Sequence, residues 1–311
     1  MNLAENSMTK SAKGQGFGYW NVPTPTLGGM QFWSDQLVFG NWRIQKNVYT
    51  GHCRLLDPRN IRRAWGNYDS CYRKFVSLKD DGVVDSISGK AVVLLHGLGR
   101  TRRSMAKLAR QFKRQGYVPI NIEYASTRAP IEEHAQAVHR ILQQLEGIDE
   151  IHFVGHSMGN LVWRRYLNLY TDEQTGVQGD KRIRSSVMIA PPNKGAWMAR
   201  VLKPTLLFGL VTGKSGLQLA QKDWDVYEKS LATPRHRFAI IAGRYNGNPL
   251  FRVDNDTTVS VDETKLKGAS DFEVVRSMHA FIMANSKVIG SVGKFFEQGH
   301  LVDKDQVHPI R

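Results

Sequence analysis

The chain has 311 residues, 41% hydrophobic and 23% charged, with a net charge of +15. That length and composition fit a globular protein of one large α/β domain or two small ones. Two cysteines, Cys53 and Cys71, are too few for a disulfide framework and fit no zinc or redox spacing; a single bridge or two free thiols suit them equally.

Met1 to Gly18 is polar and lacks an apolar signal-peptide core, so it is read as a flexible tail; a removed leader stays open. No apolar run is long enough for a membrane-spanning helix. A cytoplasmic or membrane-peripheral location is the corresponding expectation. Residues 19–87 hold four of the seven tryptophans, including Trp20, Trp33, Trp42 and Trp65. This aromatic extension is expected to pack on the main domain, with strands in Gln36–Gln45, where stretches alternate.

Residues 88–298 are expected to form the main domain. Ala91–Leu95 is a continuous apolar run, as for a buried parallel strand. His96-Gly97-Leu98-Gly99 follows, a loop where a backbone N–H can point at an oxyanion. From Thr101 to Gln115, Met105, Leu108, Ala109 and Phe112 share one face of a helix whose other face is basic. Tyr117–Tyr124 reads as a strand. Pro130 opens a helix through Leu145, with Ile131, Ala135, Val138, Leu142 and Leu145 on one face. Glu150–Val154 is the next strand and Ser185–Ala190 another. The alternation predicts an α/β fold: a doubly wound, mostly parallel sheet with ligands at the strands' carboxyl ends.

Between Val154 and the helix expected over Met158–Tyr170 lies Gly155-His156-Ser157-Met158-Gly159. A Gly-x-Ser-x-Gly between strand and helix is the pattern of a nucleophile elbow. Only residues without Cβ let strand and helix crowd so closely. Residues 193–233 break the alternation with an apolar patch that includes Trp197, Leu206, Leu207 and Phe208. They are expected to form an inserted cap or lid. Strands are expected again over Phe238–Ala242 and Phe272–Val275, a shorter apolar stretch over Thr258–Val261, and a last helix over Ala280–Phe296. Residues 299–311 read as a tail.

A serine hydroxyl needs a base, and the order expected after such an elbow is acid, then histidine. Of ten histidines, only His279, His300 and His308 come late enough, and His279 alone sits between the last strand and the last helix. The acid is expected at Asp256, with Asp254 the alternative. Asp254/Asp256 lack the glycine and third ligand of a calcium loop.

These pieces together resemble the α/β-hydrolase superfamily, especially bacterial lipases and carboxylesterases. The resemblance rests on His96–Gly99, Gly155–Gly159 with Leu161, Val162 and Arg164, the Asp256 loop and Ser277-Met278-His279. It implies Ser157 as nucleophile, His279 as general base and acid, and Asp256 as its orienting partner. The N–H groups of Leu98 and Met158 would form the oxyanion hole, with no metal or organic cofactor. His96, Gly97, His156, Trp197, Leu206, Leu207 and Phe208 are the expected pocket residues. Asn160 stands where these lipases usually have a third glycine, and Thr257 where a glycine commonly follows the acid. The expected substrate is a hydrophobic ester, although a thioesterase or amidase would use the same groups. The basic balance, clustered at Arg100, Arg102, Arg103, Lys107, Arg110, Lys113 and Arg114, suggests contact with an anionic membrane or lipid surface. No nucleic-acid motif accompanies the charge. A non-catalytic membrane-surface or scaffold protein on the same fold is the competing reading.

Overall fold

The computed structural model describes residues 24–25, 31–194, 227–245 and 254–311. Residues 195–226 of the cap expected over 193–233 lie outside them, and with that segment Trp197, Leu206, Leu207 and Phe208, as does the tail at 1–18.

The extension is an antiparallel sheet. Its strands are β1 (Thr24–Pro25), β2 (Trp33–Phe39), β3 (Trp42–Asn47), β4 (Cys53–Leu56) and β5 (Ile61–Gly66), in the order β1-β5-β4-β3-β2. Helix α1 (Tyr68–Asp80) covers it, burying Cys71 and Phe75 against Leu37, Phe39, Ile44 and Leu55. Both cysteines are free thiols within this layer. Asn67 caps α1 through Ser70 N–H, which fixes where the helix starts.

The extension joins the rest through β2. Asp35 N–H donates to the Glu123 carbonyl at 2.9 Å, and the Asp35 carboxylate accepts from Glu123 N–H at 2.7 Å. The same carboxylate pairs with the Arg43 guanidinium and accepts from Gln45. Arg43 in turn donates to the Asn121 carbonyl. A carboxylate with no solvent exposure is tolerable only with such a full set of partners.

The main sheet has six parallel strands: β6 (Gly89–Leu95), β7 (Val118–Ile122), β8 (Ile148–His156), β9 (Ile183–Ile189), β10 (Arg237–Arg244) and β11 (Asp271–Arg276). Their order is β11-β10-β9-β8-β6-β7. Both faces are buried, which explains the unbroken apolar run in β6. Val93 and Leu95 face one core, with Phe153, Leu161 and the helices α3 (Ile131–Gln143) and α4 (Met158–Leu169). Val92 and Leu94 face the other, with α2 (Ala106–Arg114) and a C-terminal helix over Ser286–Gln298. Phe153 stacks on Trp163 with centroids 4.1 Å apart, pinning α4 to the strand that precedes it.

Thr258–Val261, read as a short apolar stretch, is a turn running into the short helix α5 (Val261–Thr264), closed by a capping box between Ser260 and Glu263. One expectation shifts. The last helix, α6, begins at Ser286 rather than near Ala280, because Asn285 caps it through Lys287 N–H and a single 3-10 turn, Ile282–Ala284, precedes it.

Candidate active site

A single residue, Ser157, joins β8 to α4. Ser157 has φ 52 and ψ −124, a conformation that a residue with a side chain rarely adopts. Its N–H is held by the Ile189 carbonyl at 3.0 Å. The flanking glycines have steric causes. A Cβ at Gly155 would lie 2.3 Å from Asn160 Oδ1, and one at Gly159 would lie 2.6 Å from the Leu95 carbonyl oxygen. Gly97 is equally constrained, since a Cβ there would meet the His156 ring at 2.9 Å and the Ser157 side chain at 3.1 Å.

Asn160 is buried and fills the space over Gly155. Its Nδ2 donates to the carbonyls of Ser157 and Ile189, both at 3.1 Å. The amide thus ties the serine's own backbone to β9, a constraint that a glycine could not supply.

Ser157, His279 and Asp256 converge although they are far apart in sequence. The Ser157 hydroxyl donates to His279 Nε2 at 2.9 Å, and His279 Nδ1–H donates to Asp256 Oδ2 at 2.7 Å. Asp256 is fully buried. Its Oδ1 accepts from Thr258 N–H at 2.9 Å and Val259 N–H at 2.7 Å. His279 N–H donates to the Asp256 carbonyl at 2.8 Å, so backbone and side chain tie the two loops together. Gly243, at the end of β10, makes room for this: a Cβ there would lie 2.6 Å from Asp256 Cβ. Asp254 instead faces outward, with Arg244 at 3.3 Å. Thr257 sits at φ 83, the left-handed region that glycine occupies without strain.

Two histidines lie beneath the site. His156, 1% exposed, donates from Nε2 to the His279 carbonyl at 3.0 Å, with the two rings 4.8 Å apart. Burial, and the nearby His279, hold its pKa well below the ordinary value, so it stays neutral. His96 is wholly buried and stacks on Tyr124 at 4.1 Å, with Nδ1 facing the Gly97 carbonyl at 2.9 Å. Tyr124 O–H donates to the His96 carbonyl and so braces the Gly97–Leu98 loop from below. Neither contact was legible in spacing, because each spans two loops.

Met158 is the first residue of α4, and its N–H has no acceptor within the helix. Leu98 follows Gly97, whose approach to Ser157 brings that loop beside the hydroxyl. Among the described residues, no group of three or more His, Cys, Asp or Glu side chains is arranged to hold a metal ion.

A family model described as alpha/beta hydrolase fold matches residues 90–211. The main domain has that fold, with its parallel sheet covered by helices on both faces. Solved structures with likeness to it include a gene product from Listeria innocua, 17% identical over 70% of this chain and 96% of that one, with a TM-score of 0.46. An esterase from Pyrococcus furiosus is 17% identical over 90% and 98% of the two chains, with a TM-score of 0.45. A phospholipase from Legionella pneumophila is 15% identical over 57% of this chain, which spans only 44% of that protein, with a TM-score of 0.46. At these identities and scores the likenesses bear on neither the substrate nor the reaction of this chain. No curated protein matches the sequence.

Proposed function

We propose that the protein is a serine carboxylic-ester hydrolase acting on a hydrophobic ester through an acyl-enzyme. The observation that carries this reading is the relay from the Ser157 hydroxyl through His279 to the buried Asp256 carboxylate, at 2.9 and 2.7 Å. A binding-only protein has no physical need for a serine held at a strained φ against an imidazole with a carboxylate behind it.

In the first half-reaction Ser157 Oγ attacks the ester carbonyl carbon as His279 Nε2 takes the hydroxyl proton. Asp256 holds Nδ1–H, which fixes the tautomer with Nε2 free to accept and stabilises the imidazolium that forms. The N–H groups of Leu98 and Met158 receive the oxyanion, the latter aided by the positive end of α4. The tetrahedral species collapses, and the alcohol departs with the proton from His279. Water then attacks the acyl-serine with His279 as base, and the carboxylic acid leaves as Ser157 regains its proton. No step calls for a metal or an organic cofactor. The apolar sequence of the segment bearing Trp197, Leu206, Leu207 and Phe208 favours a hydrophobic ester over a small polar one.

The test is hydrolysis of p-nitrophenyl esters graded from acetate to palmitate, by the native chain and by Ser157→Ala, alongside labelling with a fluorophosphonate. Activity that rises with acyl length, lost together with labelling in Ser157→Ala, is the expected result. Full hydrolysis by Ser157→Ala would sink the proposal. An unlabelled native chain with no hydrolysis would favour the scaffold reading.

A further inference from the structure

From Ser86 to Ile122 the chain carries eight Lys and Arg residues and no Asp or Glu. The structure gathers four of them on one face. Arg103, Lys107, Arg110 and Arg114, spaced four, three and four residues apart, are exposed along one side of α2 and the 3-10 turn before it, Arg102–Met105. The buried side of α2 carries Leu108 and Phe112. Among the described residues, none of these four cations has an acidic partner within salt-bridge distance. Lys107, Arg110 and Arg114 line a groove of about 450 Å³ between α2 and α6, together with Ile289 and Gly290 and with no acidic residue.

The helix's own electrostatics do not account for this row. Cations near the C-terminus of α2 are favourable, which suits Lys113 and Arg114. Arg103 and Lys107 lie at its N-terminal end, where an acid would be favourable and none is present. Like charges three and four residues apart on a helix repel. The start of α6, with no acid in its first turn, adds further positive potential at the groove. Among the described residues the field is therefore uncompensated, and an anionic partner would relieve it.

The nature of the partner follows from what stands beside the row. Lys107 Nζ reaches the Ala284 carbonyl at 3.4 Å, so the turn that follows His279 packs against the upper end of α2. That turn presents Phe281, 61% exposed. An apolar ring held in water beside a row of cations suits a surface that is anionic at its face and apolar just beneath. A nucleic-acid duplex supplies the anions but no apolar layer for the ring.

We infer that the α2–α6 face, with Phe281 at its upper end, is a docking surface for an anionic phospholipid bilayer. Docking there sets the rim that carries Ser157 and His279 beside the lipid. The use of that placement rests on the ester-hydrolase reading; the docking itself does not.

The test uses the full chain and co-sedimentation with vesicles of phosphatidylcholine alone or mixed with phosphatidylglycerol, at low and high salt. The native chain binds the mixed vesicles at low salt and is released by high salt. Replacing Arg103, Lys107, Arg110 and Arg114 together by Gln weakens binding at least about tenfold, given roughly 1 kcal/mol per basic residue near such a surface. Replacing Arg59, Arg73, Lys74 and Lys181 together by Gln removes the same net charge elsewhere and leaves binding within about twofold. Phe281→Ser weakens binding without changing its salt dependence. Equal loss in the two quadruple variants would overturn the inference, as would equal binding to pure phosphatidylcholine, or tighter binding to a DNA duplex than to the mixed vesicles. Hydrolysis of a short soluble ester is measured in parallel. Vesicle binding without hydrolysis would defeat the functional reading and leave the docking surface standing.

Discussion

Asp254 and Asp256 lie two residues apart, and only their surroundings separate them. Asp256 is buried, with His279 on one carboxylate oxygen and two backbone N–H groups on the other. Asp254 faces Arg244 at the surface. Asp256→Asn should therefore lower kcat by about 10³–10⁴-fold, because an amide oxygen no longer favours the tautomer that leaves Nε2 free. Asp254→Asn should change kcat by less than about twofold, since exposed ion pairs contribute little. Steady-state kinetics on one soluble ester checks both, and the reverse order would reassign the acid. Spacing alone left both aspartates open, since each precedes the same turn; the choice depends on which side chain folds inward, a tertiary matter. Thr257 follows with φ 83, a strained backbone for a β-branched residue. Thr257→Gly should raise unfolding free energy by up to about 1 kcal/mol, the relieved strain exceeding glycine's added unfolded-state entropy. Urea denaturation reads this out, and a loss of stability would show that the threonine side chain matters more than its backbone.

At the level of elements, the elbow was the most legible part of the chain, because its glycines answer to short-range sterics. Gly159 lets α4 close on the end of β6, where a Cβ would meet the Leu95 and His96 carbonyl oxygens at 2.6 and 2.9 Å. Those are backbone atoms at and just beyond the end of an interior strand and cannot move aside. Gly159→Ala should cost on the order of 2 kcal/mol or more and displace Ser157. Gly290, in the exposed middle of α6, is the contrast: a Cβ there meets nothing within 4 Å. Gly290→Ala should stabilise the chain by about 0.5–1 kcal/mol through helix propensity alone. Paired denaturation curves test the two, and a Gly159→Ala protein as stable as the native chain would refute the close-packing account. The parallel strands and the helices between them were also plain, since strands buried on both faces read as apolar runs. Helix α1 was not legible. Its buried face amounts to Cys71 and Phe75 among polar residues, and its start depends on the Asn67 cap. The five-stranded layer beneath it was legible only in part, because β5 is half-buried along most of its length and carries little alternation.

Across the whole molecule, buried neutral histidines set how the fold responds to acid. Burial lowers the pKa of His134 to about 3 and that of His236 to about 4, and it holds His156 well below the ordinary value. His152 is lowered as well, again chiefly by burial and against the pull of Glu150. Above the ordinary histidine pKa both folded and unfolded chains hold these rings neutral, so they add no pH dependence. Below it the unfolded chain takes up protons that the folded chain refuses, and stability falls as the pH drops toward the depressed folded values. Each ring contributes a slope of about 1.4 kcal/mol per pH unit within its window. The net charge of +15 acts in the same direction, because protonating carboxylates deepens the self-repulsion of an already cationic chain. Urea unfolding should therefore show a loss of several kcal/mol between about pH 6.5 and pH 4.5. His134→Phe keeps an aromatic ring beside Tyr124, 4.7 Å away in the native chain, and removes one titrating group. Its profile should be shallower by about one proton over the same window. A native profile flat from pH 7 to pH 5, or a variant profile as steep as the native one, would mean that these rings are not held neutral by burial.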